Sequence, residues 1–203
     1  MNSNTPKLLP YDVVILGPQG SGKGTQARLL QDITGAAYCE MGAMLRAEIA
    51  SGSALGAQLQ EIMDAGNLVS DAQIADVFTS YMAGITPETR VIFDGVQRTL
   101  GQKELFDRVM AERGRDFRVL FFDLPEEISL ARILGRAAQA AAAGERVRED
   151  DKTREAIAQR LRSYHEKTYP VIEAYEREGR LITIDARPSI DAVDAAVCAV
   201  LGL

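Results

Sequence analysis

The run GPQGSGKGT, from Gly17 to Thr25, lies directly after an apolar strand-like stretch and directly before a helical pattern. That context narrows the possible folds more than any other feature of the chain. Glycines let successive backbone N–H groups turn inward without Cβ clashes, so such a loop can wrap an anion. The helix that follows presents its positive end to the same point. The backbone of Gly20, Ser21, Gly22, Lys23, Gly24 and Thr25 forms the cradle, and Lys23 adds a point charge suited to the outer phosphates of a nucleoside triphosphate. Gly24 separates that lysine from the next hydroxyl, so Thr25 is the side chain available to Mg²⁺. A second oxygen donor for the same cation, acting mostly through water, is Asp94 at the carboxyl end of the apolar run 91–93.

Short β-rich apolar runs recur at 11–16, 36–39, 89–94, 117–123 and 181–185, with helical patterns between them. Continuous apolar strands separated by helices are what a parallel sheet covered on both faces requires. The expected fold is therefore α/β, three layers deep, with a five-stranded parallel sheet behind the phosphate loop. Helical spacing appears at 26–33, from about Gly42, at 54–65 and 71–83, at 152–169 with Pro170 ending or kinking it, and at 189–201. The alanine-rich stretch 137–143, followed by Gly144 and RVREDD, buries little and reads as a short mobile cover. The organisation is one domain over 1–203, with 1–10 a flexible lead-in, 40–70 an attached acceptor-binding segment and 136–150 a short lid.

Charge excludes some partners. A formal net charge of −6 argues against a general nucleic-acid or membrane-surface binder, because both need a basic face. No apolar run approaches the roughly 20 residues of a membrane span. Cys39 and Cys198 are far apart and outside any metal-spaced pair, as expected for two thiols of a reducing cytoplasm.

The form Gly-Lys-Gly-Thr resembles the adenylate kinase family of nucleoside monophosphate kinases, and the resemblance continues along nearly the whole chain. Met41 to Arg46 resembles that family's Thr-Gly-Asp-Met-Leu-Arg segment, and Asp64 to Asp71 its acceptor-binding turn. Asp94-Gly95-Val96-Gln97-Arg98-Thr99, with Gln102 after it, resembles the Asp-Gly-Phe-Pro-Arg-Thr motif and its base-reading glutamine. Arg132 and Arg136 match the arginine pair before the lid; Arg148 and Arg160 match those that follow it. The resemblance implies that Arg46, Arg98 and Arg160 hold the acceptor phosphate, that Arg132 and Arg136 hold the ATP phosphates, and that Arg148 serves the transferring group. It implies that Met41, Asn67, Leu68, Val69, Gly95, Val96 and Gln97 line the AMP pocket and that Gln102 reads the adenine edge. The loop Ala186-Arg187-Pro188 would touch the ATP base through its backbone. It further implies Mg²⁺ with ATP, no zinc in so short a lid, and a monomer.

The chemistry agrees. An acceptor phosphate is already an anionic nucleophile, so the reaction needs no histidine or carboxylate base; the single His165 is read as a helix-surface or packing residue. Bringing two phosphates together requires fixed positive charge, which planar guanidinium groups supply well. Arg160 shares a helical side with Ile157 and Tyr164, which turns it inward. Three positions depart from the family pattern: Met41 lacks a hydroxyl, Ala43 replaces an acid, and Gln97 replaces a proline. The leading expectation is phosphoryl transfer from ATP to AMP giving two ADP. The alternatives are the same chemistry on UMP, CMP or another monophosphate, and a catalytically silent nucleotide-binding protein.

Overall fold

The computed structural model describes residues 7–64, 67–144 and 153–203. Five strands, β1 (Asp12–Leu16), β2 (Ala37–Glu40), β3 (Val91–Asp94), β4 (Phe117–Asp123) and β5 (Leu181–Asp185), form one parallel sheet in the order β2-β3-β1-β4-β5. Each coincides with an apolar run expected to be a strand. Successive side chains of a strand face opposite sides, and here both sides are covered. Val14 and Leu16 of β1 join one buried cluster, while Val13 and Ile15 join another.

The first cluster packs beneath α2 (Met41–Ala50), α3 (Ala54–Asp64), α4 (Asp71–Ala83), α5 (Leu100–Glu112) and α8 (Tyr169–Arg177). The second packs beneath α1 (Lys23–Thr34) and α9 (Ile190–Leu201). Each fully buried Val, Leu, Ile or Phe contributes roughly 1.5–3 kcal/mol, so these two layers dominate the stability. A small third cluster of Ile133, Ile157 and Leu161 joins α6 (Glu126–Ala142) to α7 (Arg154–Ser163).

Residues 137–142, read from the sequence as part of a mobile cover, continue α6 as helix. Pro170 does not end the helical run. A π-helical segment, Tyr164–Thr168, joins α7 to α8, and Pro170 lies in the first turn of α8, where a missing N–H costs no helix bond. No helix among the described residues is long and apolar enough to cross a membrane.

In an open parallel sheet ligands bind beyond the carboxyl ends of the strands, where connections leave in opposite directions. That place here is the end of β1, flanked by β3 and β4.

Candidate active site

The loop after β1 leads into α1 through Gly22, which has φ of 87° and no side-chain cap. The first N–H groups of α1 therefore face the crevice without competition from a capping side chain. Gly20, with φ of 79°, lies so close to α6 that an added Cβ would sit 2.9 Å from the Ser129 carbonyl oxygen. The Ser129 hydroxyl donates to the Gln19 carbonyl at 2.5 Å, locking the loop onto α6. Lys23 reaches back over this loop and donates to the carbonyls of Gly17 and Pro18, both at 2.7 Å. Burial pulls its ammonium down to about 8; Asp94 opposes that shift, whereas Arg98, Arg160 and Arg136 reinforce it. A group so placed gains most from an arriving anion.

One cleft of about 520 Å³ runs from this loop to the acceptor-binding segment. Its described walls carry seven basic side chains, Lys23, Arg28, Arg46, Arg98, Arg132, Arg136 and Arg160, against two carboxylates, Glu40 and Asp94. Gly20, Gly22, Gly24 and Thr25 line the loop end; Met41, Asn67, Leu68, Val69, Gly95 and Gln102 line the other. The separate motifs, scattered from residue 17 to residue 160, are thus brought to one wall-to-wall site.

Arg132 bridges three pieces, donating to the carbonyls of Gly20 at 3.3 Å, Ala186 at 3.0 Å and Arg187 at 3.0 Å. It fixes the loop after β5 against the phosphate loop. Arg98 is held through its own backbone: its N–H donates to Gln102 Oε1 at 2.8 Å, and its carbonyl accepts from Thr168 Oγ1 at 3.1 Å. Gln102 therefore already spends part of its amide on Arg98, with Nε2 and one oxygen lone pair left for other partners. Arg160 is half-buried on the cleft wall, with Ile157 and Tyr164 of its helical side buried beside it. Arg46 lies across Gly42, where an added Cβ would come within 3.0 Å of Nη1, and its Nη2 donates to Glu40 Oε1 at 2.7 Å.

Some expected residues lie off the wall. Ser21 is buried and accepts from Lys23 at 3.4 Å. Val96 and Gln97 are buried, and neither amide atom of Gln97 meets a hydrogen-bond partner among the described residues. Pro188 is exposed on the loop after β5, outside the cleft lining. Arg148 lies outside the described residues. His165 is exposed and pairs with Glu126 at 2.9 Å. Sequence reasoning passed over Tyr38, whose hydroxyl donates to Asp94 Oδ2 at 3.1 Å, and over Glu40, Arg28, Ser163 and Thr168 on the wall. Alternation on β2 could have found two of these, since Tyr38 and Glu40 share the face opposite buried Cys39.

The donors fit Mg²⁺. Thr25 is exposed at the start of α1, and Asp94 Oδ2 would lie 4.0 Å from a Cβ on Gly24, so a hydroxyl and a carboxylate flank the same turn. Among the described residues no group of three or more His, Cys, Asp or Glu converges. A cation that takes one or two protein oxygens and fills its shell with phosphate oxygens and water suits such a site.

A parallel α/β sheet with a glycine-rich phosphate loop and an arginine-lined cleft at its carboxyl edge defines a P-loop nucleotide-binding protein. A family model described as adenylate kinase matches residues 15–180. The chain is 39% identical over 190 residues to an adenylate kinase of Stenotrophomonas maltophilia (strain R551-3), covering 93% of this chain and 98% of that protein. It is 38% identical over 182 residues to one of Deinococcus deserti, covering 89% and 91%. With one of Phocaeicola vulgatus it shares 35% identity over 189 residues, covering 93% and 96%. The chain belongs to the adenylate kinase family.

Proposed function

We propose that this chain catalyses reversible, Mg²⁺-dependent phosphoryl transfer from ATP to AMP, giving two ADP. The observation that carries the reading is the single cleft in which the phosphate loop and Lys23 face Arg46, Arg98 and Arg160 across one space. A protein that only bound ATP would have no use for that second arginine set. ATP sits with its phosphates on the loop between Gly20 and Thr25, its outer phosphates against Lys23, Arg132 and Arg136. Arg187 and Pro188 flank the base. AMP sits over Met41 and the segment Asn67–Val69, its phosphate against Arg46, Arg98 and Arg160 and its adenine against Gln102. Arg148 belongs to the same set, and Val96 and Gln97 support Arg98 from below.

The AMP phosphate is the nucleophile and needs no base. The protein's work is to align it with the γ-phosphorus and to hold guanidinium charge where negative charge accumulates on the transferring oxygens. Bound Mg²⁺, held by Thr25 and Asp94 largely through water, would neutralise part of the triphosphate charge. Tyr38 fixes the Asp94 carboxylate by its hydroxyl. Segments 40–70 and 136–150 would close over the acceptor and over ATP, excluding the water that competes with AMP. We further propose a cytoplasmic monomer, a setting that suits the free thiols of Cys39 and Cys198.

The test is a coupled assay of ADP formation with ATP, Mg²⁺ and each nucleoside monophosphate in turn. Fast turnover with AMP and slow turnover with UMP and CMP is the expected result. A preference for a pyrimidine monophosphate would overturn the role of Gln102. Absence of transfer to every monophosphate, with ATP still bound, would leave a silent binding protein.

A further inference from the structure

Glu40 is a carboxylate on the wall of a cleft that carries seven basic side chains among its described lining residues. It is the last residue of β2 and stands at the N-cap of α2, yet its side chain does not cap that helix. Instead Oε1 accepts from Arg46 Nη2 at 2.7 Å, and Oε2 lies 3.9 Å from Nη2 of Arg28 on α1. The Glu40 side chain is 23% exposed, and those of Arg46 and Arg28 are 51% and 64% exposed. Three residues later, where the family pattern carries an acid, this chain has Ala43. The negative charge of this segment thus stands directly against the arginine that faces the acceptor phosphate.

We propose that Glu40 tunes acceptor affinity, as a resident counter-ion on Arg46 that the acceptor phosphate must displace or oppose. This rests on the reading of Arg46 as an acceptor-phosphate ligand. Two effects compete. The carboxylate orients Arg46 by occupying Nη2, leaving Nε and Nη1 for the ligand. It also repels a phosphate dianion arriving on that same guanidinium. An ion pair this exposed is weak, so the orientation it supplies is small. Like-charge repulsion acts on a phosphate that carries up to two negative charges, and it strengthens as the bound nucleotide displaces water from the cleft, so it is larger. Repulsion therefore wins, and Glu40 holds the acceptor site looser than its arginines alone would make it. The benefit is release: a nucleotide leaving the acceptor site finds Glu40 ready to take Arg46 back. Arg28 of α1 stands on the other side of Glu40, 3.9 Å from Oε2, while α2 carries Arg46.

Glu40→Gln removes the charge and keeps the shape. Expected is a fall in the acceptor KM on the order of tenfold at low ionic strength, with the ATP KM changed less than about twofold. Glu40→Asp, which keeps the charge, should stay near the parent value. Added salt should shrink the difference between parent and Glu40→Gln, which a merely structural role would not do. An acceptor KM that rises or stays constant in Glu40→Gln overturns the proposal. Because the contact is with phosphate and not with a base, the shift is read with whichever monophosphate the enzyme prefers. If none accepts a phosphoryl group, the AMP Kd from calorimetric titration replaces KM, and the same directions decide.

Discussion

At the scale of single residues, charge and close approach set the chemistry. Lys23 is held near 8 by burial, below its ordinary value of 10.5. A bound triphosphate stabilises the ammonium and raises that pKa again, so binding takes up a proton wherever free Lys23 is partly neutral. ATP affinity should therefore fall as pH climbs above about 8, with proton uptake growing between about pH 7 and 9. Calorimetric titration in buffers of different ionisation enthalpy measures it, and zero uptake throughout would contradict the burial of Lys23. Gly95 has φ of 75°, and a Cβ there would lie 2.9 Å from Arg98 Nη2. Gly95→Ala should cost about 1–2 kcal/mol in backbone strain. Displacing Arg98 should lower kcat/KM on the order of 10²-fold. Denaturant titration and steady-state kinetics separate the two effects.

At the scale of elements, most of the fold was legible and part of the site was not. The strands were readable because both faces of a parallel sheet are buried, which writes continuous apolar runs such as 117–123. The phosphate loop was readable because backbone needs dictate its glycines. Other features arise from packing between distant residues, which no local pattern records. The π-helical segment places Thr168 against the Arg98 carbonyl, 70 residues away in sequence. Tyr38 reaches Asp94 from the neighbouring strand, and Gln97, expected from the resemblance to line the AMP pocket, is buried instead. Thr99 shows how an element end can serve two purposes. Its hydroxyl caps α5 by accepting from Gln102 N–H at 3.1 Å and donates to Asp71 at the start of α4 at 2.8 Å. Thr99→Ala should cost about 1 kcal/mol as a lost cap. It should also raise the AMP KM more than the ATP KM, because Arg98 and Gln102 flank the loosened turn. Equal changes in both KM values would contradict that link.

At the scale of the whole molecule, one buried ion pair fastens the sheet at the end opposite the cleft. Arg115 donates to Asp12 from Nε at 2.7 Å and from Nη2 at 2.8 Å, and also to the carbonyls of Thr86 and Thr89. Asp12 Oδ1 accepts from Val91 N–H at 2.9 Å. The pair ties the starts of β1 and β3 to the turn before β4, and its side chains are 0% and 4% exposed. Arg115→Met leaves the Asp12 carboxylate buried and uncompensated, so it should destabilise by about 3–5 kcal/mol. Below the melting midpoint the acceptor KM should stay unchanged, because this pair lies far from the cleft. Chemical denaturation and kinetics on the same sample check both halves.

Direct transfer between two nucleotides in one cleft can be observed by following the γ-phosphoryl group itself. ATP labelled in its γ-phosphate is mixed with Mg²⁺, AMP and the protein, and early products are separated. Expected are label in the β-position of newly formed ADP, AMP consumed one for one with ATP, and negligible inorganic phosphate. Label released as inorganic phosphate with AMP unconsumed would contradict it, because water rather than AMP would then be the acceptor.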